Sequence, residues 1–255
     1  MASARSQPPV EVNTIDLLKL VAVVLMIADH VGLYLFDNAW LRVAGRPVAV
    51  IFGFLIGYSA ATRIPPSWIG LGIGLSLLNR WLFPHLEEHT LDILISLALT
   101  RASMPLFDRL HAASPLLLVL AVAVLGVLTE PVNAFLEYGP EVPIVALLGA
   151  AVRLDRGERG HAAARQATAL AALVAISLVA IRHFDFTGIE ALGCVALLGI
   201  TLMTLASFRI VAVAAPAALA PLLRWTGRRT LWIYAVHLVA LQLTAWWLLE
   251  TAEED

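Results

Sequence analysis

The chain has 255 residues, of which 60% are hydrophobic and 14% are charged, and its mean hydropathy is +0.84. This composition excludes a soluble globular domain and is typical of a polytopic membrane protein. The net charge of −2 indicates no particular class of partner, and the single cysteine, Cys194, excludes a disulfide framework and a thiolate metal site.

The sequence predicts an all-α transmembrane helix bundle of about nine spans, organised as one domain over residues 1–255. Residues 1–13 are polar and are expected to form a flexible tail, and the first apolar run is too long for a cleavable signal peptide. A further apolar stretch, 210–223, contains Pro216 and Pro221 and is interpreted as an interfacial or re-entrant segment; if it spans, the count is ten. The nine apolar runs are 15–36, 46–63, 67–83, 90–107, 113–129, 139–153, 163–181, 187–208 and 229–249.

The distribution of lysine and arginine predicts a cytoplasmic N-terminus. With nine spans in this orientation, thirteen basic residues fall on the cytoplasmic side and four on the other, and a cytoplasmic excess sets membrane orientation. The thirteen are Arg5, Lys19, Arg63, Arg101, Arg109, Arg153, Arg156, Arg159, Arg165, Arg209, Arg224, Arg228 and Arg229; the four are Arg42, Arg46, Arg80 and Arg182.

The first predicted span carries an adjacent ionisable pair, Asp29 and His30. A charged side chain inside a spanning helix costs about 2.5–3.5 kcal/mol on insertion scales, so such a pair indicates a polar cavity or a functional site. His30 is a candidate general base because its ordinary pKa is near neutrality, and the alternative is a hydrogen bond to a neighbouring helix. Asp29 projects about 100° away around the helix, where it could orient a neighbour or pair with an arginine such as Arg46.

Other polar residues fall on the predicted outer side, where they would form one vestibule. His85 and His89 belong to an H-x-x-E-H run, which is a weak signal for zinc because such sites need a defined helix and a distant third ligand. Substrate contact or a solvated loop is the favoured interpretation, and no metal site is predicted. The predicted substrate-binding residues are Arg46, Arg80, His85, His89, Asp92, Tyr234 and His237.

Four blocks of sequence resemble the TraX family: IDLLKLVAVVLMIADHVG (15–32), LRVAGRPVAVIFGFLIGY (41–58), LEYGPEVPIVALLGA (136–150) and TGRRTLWIYAVHL (226–238). TraX-like proteins are inner-membrane proteins linked to N-terminal acetylation of conjugative pilin. They belong to a wider transmembrane acyltransferase group with heparan-α-glucosaminide N-acetyltransferase and the acyltransferase-three proteins. In the last of these a basic residue often precedes a histidine by eleven positions in the first span, a spacing that Lys19 and His30 match. The segment 85–99 departs from the pattern, which leaves the acceptor open.

The resemblance implies an acetyltransferase of the bacterial inner membrane. Cytoplasmic acetyl-CoA would bind through Lys19, Arg224, Arg228 and Arg229, whose positive charges suit its phosphates. His30, assisted by Asp29, would take a proton from the acceptor or carry the acetyl group transiently. The expected partners are membrane lipid, acetyl-CoA and an extracytoplasmic amine or hydroxyl, such as a pilin N-terminus or a glycan, with no nucleic acid.

Two other functions remain open from sequence. A secondary transporter could use Asp29 and His30 as an intramembrane relay, although the C-terminal half has no second Asp-His segment and an odd span count argues against inverted repeats. A weaker alternative is an intramembrane metalloprotein built on His85 and His89. Release of CoA from acetyl-CoA would separate the acetyltransferase from both.

Overall fold

The computed structural model describes residues 12–84, 90–155, 159–216 and 218–253. The described part is almost entirely helical, as the sequence predicts. Its elements are β1 (Val12–Asn13), α1 (Thr14–Val31), a π-helical turn (Gly32–Phe36), α2 (Ala39–Gly45), α3 (Pro47–Ser59), α4 (Pro66–Leu82), α5 (Ile93–Ala102), α6 (Met104–Ala113), α7 (Pro115–Val127), α8 (Thr129–Asn133), α9 (Glu141–Leu154), α10 (Arg159–His183), α11 (Gly188–Ala206), β2 (Ala212–Val213) and α12 (Ala220–Glu253).

Apolar helices of membrane-spanning length confirm the predicted class of all-α membrane protein. Two shorter apolar helices, Ile93–Ala102 and Leu116–Val127, accompany them. Within the described residues five segments are long and apolar enough to cross a bilayer: Thr14–Phe36, Ala39–Ser59, Ala162–His183, Gly188–Ala206 and Ala220–Thr251.

The start of α1 is fixed by a capping box and a short strand pair. The Asn13 side chain accepts hydrogen bonds from the backbone of Ile15 and Asp16, and the Asp16 carboxylate accepts one from the Asn13 backbone. Val12 and Asn13 pair antiparallel with β2. Val12 and Asn13, the last two residues of the predicted tail, therefore belong to the folded bundle. The segment 210–223, predicted to be interfacial or re-entrant, contains β2 and the first turn of α12.

Helices α1 and α12 pack side by side and run in the same direction. Three contacts, spaced along both helices in the same order, establish this: Lys19 with Gly227, His30 with His237, and Tyr34 with Gln242. This pairing brings residues about 207 positions apart into register and creates the polar centre of the bundle.

The core of the bundle is α9, which packs against α3 at very short range. A methyl group added at Gly57 would lie 2.0 Å from the Ala146 carbonyl oxygen, and one added at Gly149 would lie 2.3 Å from that of Phe54. Small residues at such positions allow helix backbones to approach closely inside a membrane. The α3–α9 pair is therefore closely packed, and α3 also packs against α1.

Candidate active site

His30 and His237 form a stacked pair between α1 and α12. Their rings lie 4.9 Å apart, centroid to centroid, with 13° between the planes, and His30 Nδ1 lies 2.7 Å from His237 Nε2. His237 Nδ1 lies 2.7 Å from the carbonyl oxygen of Ile233, one turn earlier on α12.

These contacts fix the hydrogen positions if both rings are neutral. A carbonyl oxygen only accepts, so His237 Nδ1 carries the hydrogen that is donated to Ile233. His237 Nε2 is then an acceptor, and His30 Nδ1 must donate to it. The lone pair of His30 Nε2 is left free, and this atom has no hydrogen-bond partner among the described residues. This tautomer, which follows from the geometry, is the one a general base or nucleophile needs.

Asp29 lies on the neighbouring face of α1 and binds two arginines of the α2 region. Its Oδ1 atom accepts from Arg46 at 2.6 Å and from Arg42 at 2.9 Å. Arg46 also donates to the Arg42 carbonyl oxygen and to the Tyr138 hydroxyl. Asp29 therefore makes the ion pair with Arg46 that the sequence suggested, while the partner of His30 is His237.

Packing holds this ion cluster in place. A methyl group added at Gly45 would lie 2.3 Å from the Asp29 Cβ atom, so α2 approaches α1 as closely as a glycine permits. The Phe184 ring lies under both guanidinium groups, at 3.8 Å from Arg46 and 4.8 Å from Arg42. Stacking on an aromatic face orients a guanidinium and adds about 0.5–2 kcal/mol.

A second polar cluster contains two carboxyl groups and a tyrosine, of which Asp92 and Tyr234 are buried. The Tyr234 hydroxyl donates to Asp92 at 2.5 Å, and Asp92 also caps α5 by accepting from the Leu94 backbone. Glu137, in the loop before α9, accepts from the Ile93 backbone. Burial, followed by the nearby Asp92 carboxylate, raises the pKa of Glu137 to about 8, so this group is mostly protonated at neutral pH.

Two cavities meet at these clusters. We call them the Lys19 cavity, of about 700 Å³, and the Arg42 cavity, of about 500 Å³. The Lys19 cavity extends toward the beginning of α1 and the Arg42 cavity toward its end. Lys19 and His30 are 11 positions apart on α1, so the Lys19 cavity spans about 16 Å along this helix. The residues that line both cavities are Asp29, His30, Ala49, Glu137, Tyr138 and Tyr234.

The Lys19 cavity is mainly apolar, with cationic groups at its far end. Lys19 donates to the Gly227 carbonyl oxygen, and Arg228 lies on the same rim. Arg101 lies 5.2 Å from the Trp68 ring centroid and donates to the Ala61 carbonyl oxygen. This cavity has the dimensions and polarity for an extended, mostly uncharged chain with an anionic head.

The structure brings together many of the predicted site residues. The Arg42 cavity is lined by Asp29, His30, Arg46, Asp92 and Tyr234. His237 does not line this cavity but contacts His30, which does.

Other predicted site residues lie elsewhere. Arg80 is exposed on α4 and lines neither cavity, whereas its neighbour Asn79 lines the Arg42 cavity. Lys19 and Arg228 line the Lys19 cavity, but Arg224 and Arg229 do not. His85 and His89 lie outside the described residues. Among the described residues no three metal-ligating side chains are grouped as a metal site would require.

Several residues of the site were not among those predicted. Arg42 lies one helical turn before Arg46, and this i, i+4 spacing on an apolar helix is a signal in the sequence. Glu137 and Tyr138 line both cavities. Tyr34 and Gln242 form part of the Arg42 cavity, where Gln242 donates to Tyr34 and to Asn79. Nothing local in the sequence indicates the two contacts of Gln242.

Comparisons with known proteins relate most of the chain to one family. The family model described as "TraX protein" matches residues 14–245. A protein of Rickettsia prowazekii (strain Madrid E), described only as uncharacterized, is 24% identical over 242 residues, which cover 90% of this chain and 91% of the relative. No solved structure matches.

Proposed function

The chain belongs to the TraX family, and on this basis we propose that it is an integral membrane acetyltransferase that uses acetyl-CoA. The observation that carries the proposal is the position of His30 in the wall between two cavities, with its Nε2 lone pair free. A transfer reaction between substrates that approach from opposite ends needs such a meeting point. Family membership does not favour the alternative of a secondary transporter.

In this proposal acetyl-CoA occupies the Lys19 cavity. Its phosphates lie near Lys19 and Arg228, with Arg101 at the same end, and its uncharged pantetheine arm extends along the apolar wall toward His30. Cationic groups at the rim and an apolar interior match the two chemically different parts of this molecule. Arg224 and Arg229 line neither cavity and are left to anchor the membrane face.

The acceptor occupies the Arg42 cavity and presents its amine or hydroxyl to His30. As the acceptor nitrogen or oxygen attacks the thioester carbonyl carbon, His30 Nε2 takes the acceptor's proton. The carbon–sulfur bond then breaks, and the same proton passes from His30 to the departing thiolate. Atoms and charge balance without another reactant. His237 holds the hydrogen of His30 on Nδ1 and stabilises the imidazolium that forms transiently.

We further propose nine spans with the N-terminus in the cytoplasm. Two parallel neighbours that begin on the same side require an odd number of spans from α1 to α12 inclusive, and this supports nine over ten. The bias of basic residues supports the orientation. A reporter fused after Asp255 should therefore be extracytoplasmic. A cytoplasmic signal there, from a correctly inserted fusion, contradicts this topology.

The decisive experiment is transfer across a sealed membrane. The full chain is reconstituted in vesicles with labelled acetyl-CoA on the side that exposes Lys19 and a mixture of amine and hydroxyl acceptors on the other. We expect labelled product on the acceptor side and free CoA on the donor side. Failure to bind CoA, or transport of a solute without CoA release, contradicts the proposal. If intact protein purified after mixing carries an acetyl group on His30, transfer is covalent rather than direct.

A further inference from the structure

Arg42 lines the Arg42 cavity, and only some of the hydrogen-bond donors of its guanidinium group have a partner among the described residues. Its side chain is 16% exposed, whereas that of Arg46 is 2% exposed. All of the polar contacts of Arg42 pass through one nitrogen, Nη1, which donates to Asp29 Oδ1 and, at 3.5 Å, to the Asp29 carbonyl oxygen. Arg46 in contrast uses Nε, Nη1 and Nη2. The remaining donors of Arg42 have no partner among the described residues.

The local charges are unequal. Two guanidinium groups share a single carboxylate, Asp29, and both bind its Oδ1 atom. Arginine keeps its charge even when buried, so the cluster carries one positive charge in excess. A buried charge without a counter-ion is costly, which indicates that an anion completes the cluster when the site is occupied.

Apart from Asp29, no acidic group among the described residues forms an ion pair with Arg42. Asp92 is bound to the Tyr234 hydroxyl and the Leu94 backbone. The pKa of Glu137 is raised to about 8, which leaves it mostly uncharged at neutral pH. Glu141 accepts a hydrogen bond from Asn133 at the beginning of α9.

We propose that Arg42 binds an anionic group of the acceptor, a carboxylate or a phosphate, and thereby selects acceptors that carry one close to the reacting amine or hydroxyl. The inference rests on the proposed function, because it assigns the Arg42 cavity to the acceptor. The Phe184 ring under the guanidinium orients its free edge for bidentate binding. Such a group is available both in small soluble molecules and in phospholipid headgroups.

A binding test requires no turnover. The thermal midpoint of the purified chain in a neutral detergent is measured with inorganic phosphate and, at equal ionic strength, with chloride. We expect phosphate to raise the midpoint of the unmodified protein and to have no such effect on Arg42→Gln. Arg182→Gln is the matched control, since it removes an exposed arginine that pairs with Glu130 at the same end of the bundle. An absent phosphate effect, or one unchanged in Arg42→Gln, overturns the proposal.

A kinetic test separates acceptor binding from catalysis. Ethanolamine and O-phosphoethanolamine differ only by the phosphate, and phosphatidylethanolamine in nanodiscs presents the same group as a lipid. We expect Arg42→Gln to raise KM for the phosphorylated acceptor about ten- to a hundredfold, as for a lost charge-assisted hydrogen bond, with little change for ethanolamine. An equal fall in kcat for both acceptors places Arg42 at the reacting carbonyl instead and overturns the proposal.

The same assay distinguishes the sources of the anion and protects against a variant that fails to fold. Preference for O-phosphoethanolamine identifies a soluble acceptor, and preference for phosphatidylethanolamine identifies a lipid. In the unmodified protein, inorganic phosphate should compete with the phosphorylated acceptor and not with ethanolamine; competition with neither overturns the proposal. Phosphate binding with no transfer to any acceptor contradicts the proposed reaction and leaves the anion site standing.

Discussion

The two cavities that meet at His30 are lined by different kinds of side chain. The Lys19 cavity is apolar along its length, with Phe52, Tyr58 and Trp68 in its wall and cationic groups at one end. The Arg42 cavity contains an ion cluster, two buried acids and a network of amides. The difference supports the proposal that the Lys19 cavity binds a long, mostly uncharged chain and the Arg42 cavity a small polar molecule. In the proposed reaction, transfer takes place at the shared wall, which is formed by the residues that line both cavities.

The largest effect should come from the shared wall itself. We expect His30→Ala to lower acetyl transfer by about 10²–10⁴-fold, the usual contribution of a general base, while CoA affinity stays close to that of the unmodified protein. Transfer is measured by CoA release and CoA affinity by calorimetry. Full transfer activity in a folded His30→Ala protein would remove His30 from the mechanism.

His237 provides the companion test. His237→Ala should lower the rate of acetyl transfer less than His30→Ala does. It should also change the pH dependence of that rate, because the ring that fixes the His30 tautomer is lost. The double variant should be no slower than His30→Ala alone, because the two rings act as one unit. Additive losses would indicate that the histidines have separate roles.

The Arg42 cavity should depend on Asp29 for its stability. Asp29→Asn leaves two guanidinium groups without a carboxylate, and removing one partner of a buried ion pair costs about 3–5 kcal/mol. The matched control is Asp108→Asn, which breaks the pair with Arg153 at 2.5 Å; there the Asp108 side chain is 38% exposed. A partly exposed pair contributes only about 0–1 kcal/mol. The comparison is made by thermal unfolding in detergent. Equal stability of the two variants, with a purely catalytic loss in Asp29→Asn, would mean that Asp29 acts on His30 directly.

Glu137 makes the stability of the folded protein depend on pH. Its pKa is raised from 4.5 to about 8 in the folded protein, so between these values the folded state holds a proton that the unfolded state has released. Stability from this group is therefore complete below pH 4.5 and is lost as the pH rises toward 8, by at most about 1.4 kcal/mol per pH unit. Glu137→Gln should flatten that decline between pH 6 and 8. Parallel unfolding curves for the two proteins across this range would contradict the assignment.

The smallest effect should be at the far end of the Lys19 cavity. Lys19→Gln and Arg228→Gln together should raise KM for acetyl-CoA a few-fold, about 0.5–1 kcal/mol for partly exposed charges, and leave kcat and acceptor KM unchanged. Arg224→Gln with Arg229→Gln is the matched control, because these residues carry the same charge and line neither cavity. If the control pair raises KM equally, the effect is one of general surface charge.

The sequence by itself determined the class of protein and its most informative residues. An apolar fraction of 60% in 255 residues indicates a helix bundle in a membrane, because lipid can solvate so much apolar surface and water cannot. Asp29 and His30 were identified because an ionisable side chain inside a membrane-spanning helix costs free energy. Such a residue therefore indicates a functional site. The i, i+4 spacing of Arg42 and Arg46 was also visible, although its meaning was not.

The tertiary structure alone decided which partner each of these residues has. His30 bonds to His237, 207 positions away, because α1 and α12 run parallel and in register. Asp29 turns instead to the arginines, since Gly45 lets α2 approach closely enough for both to reach it. Helical periodicity states which face a side chain occupies and carries no information on which helix covers that face. The register between distant helices is set by the packing of the whole bundle, and for that reason the shared wall of the two cavities could not be predicted from local sequence.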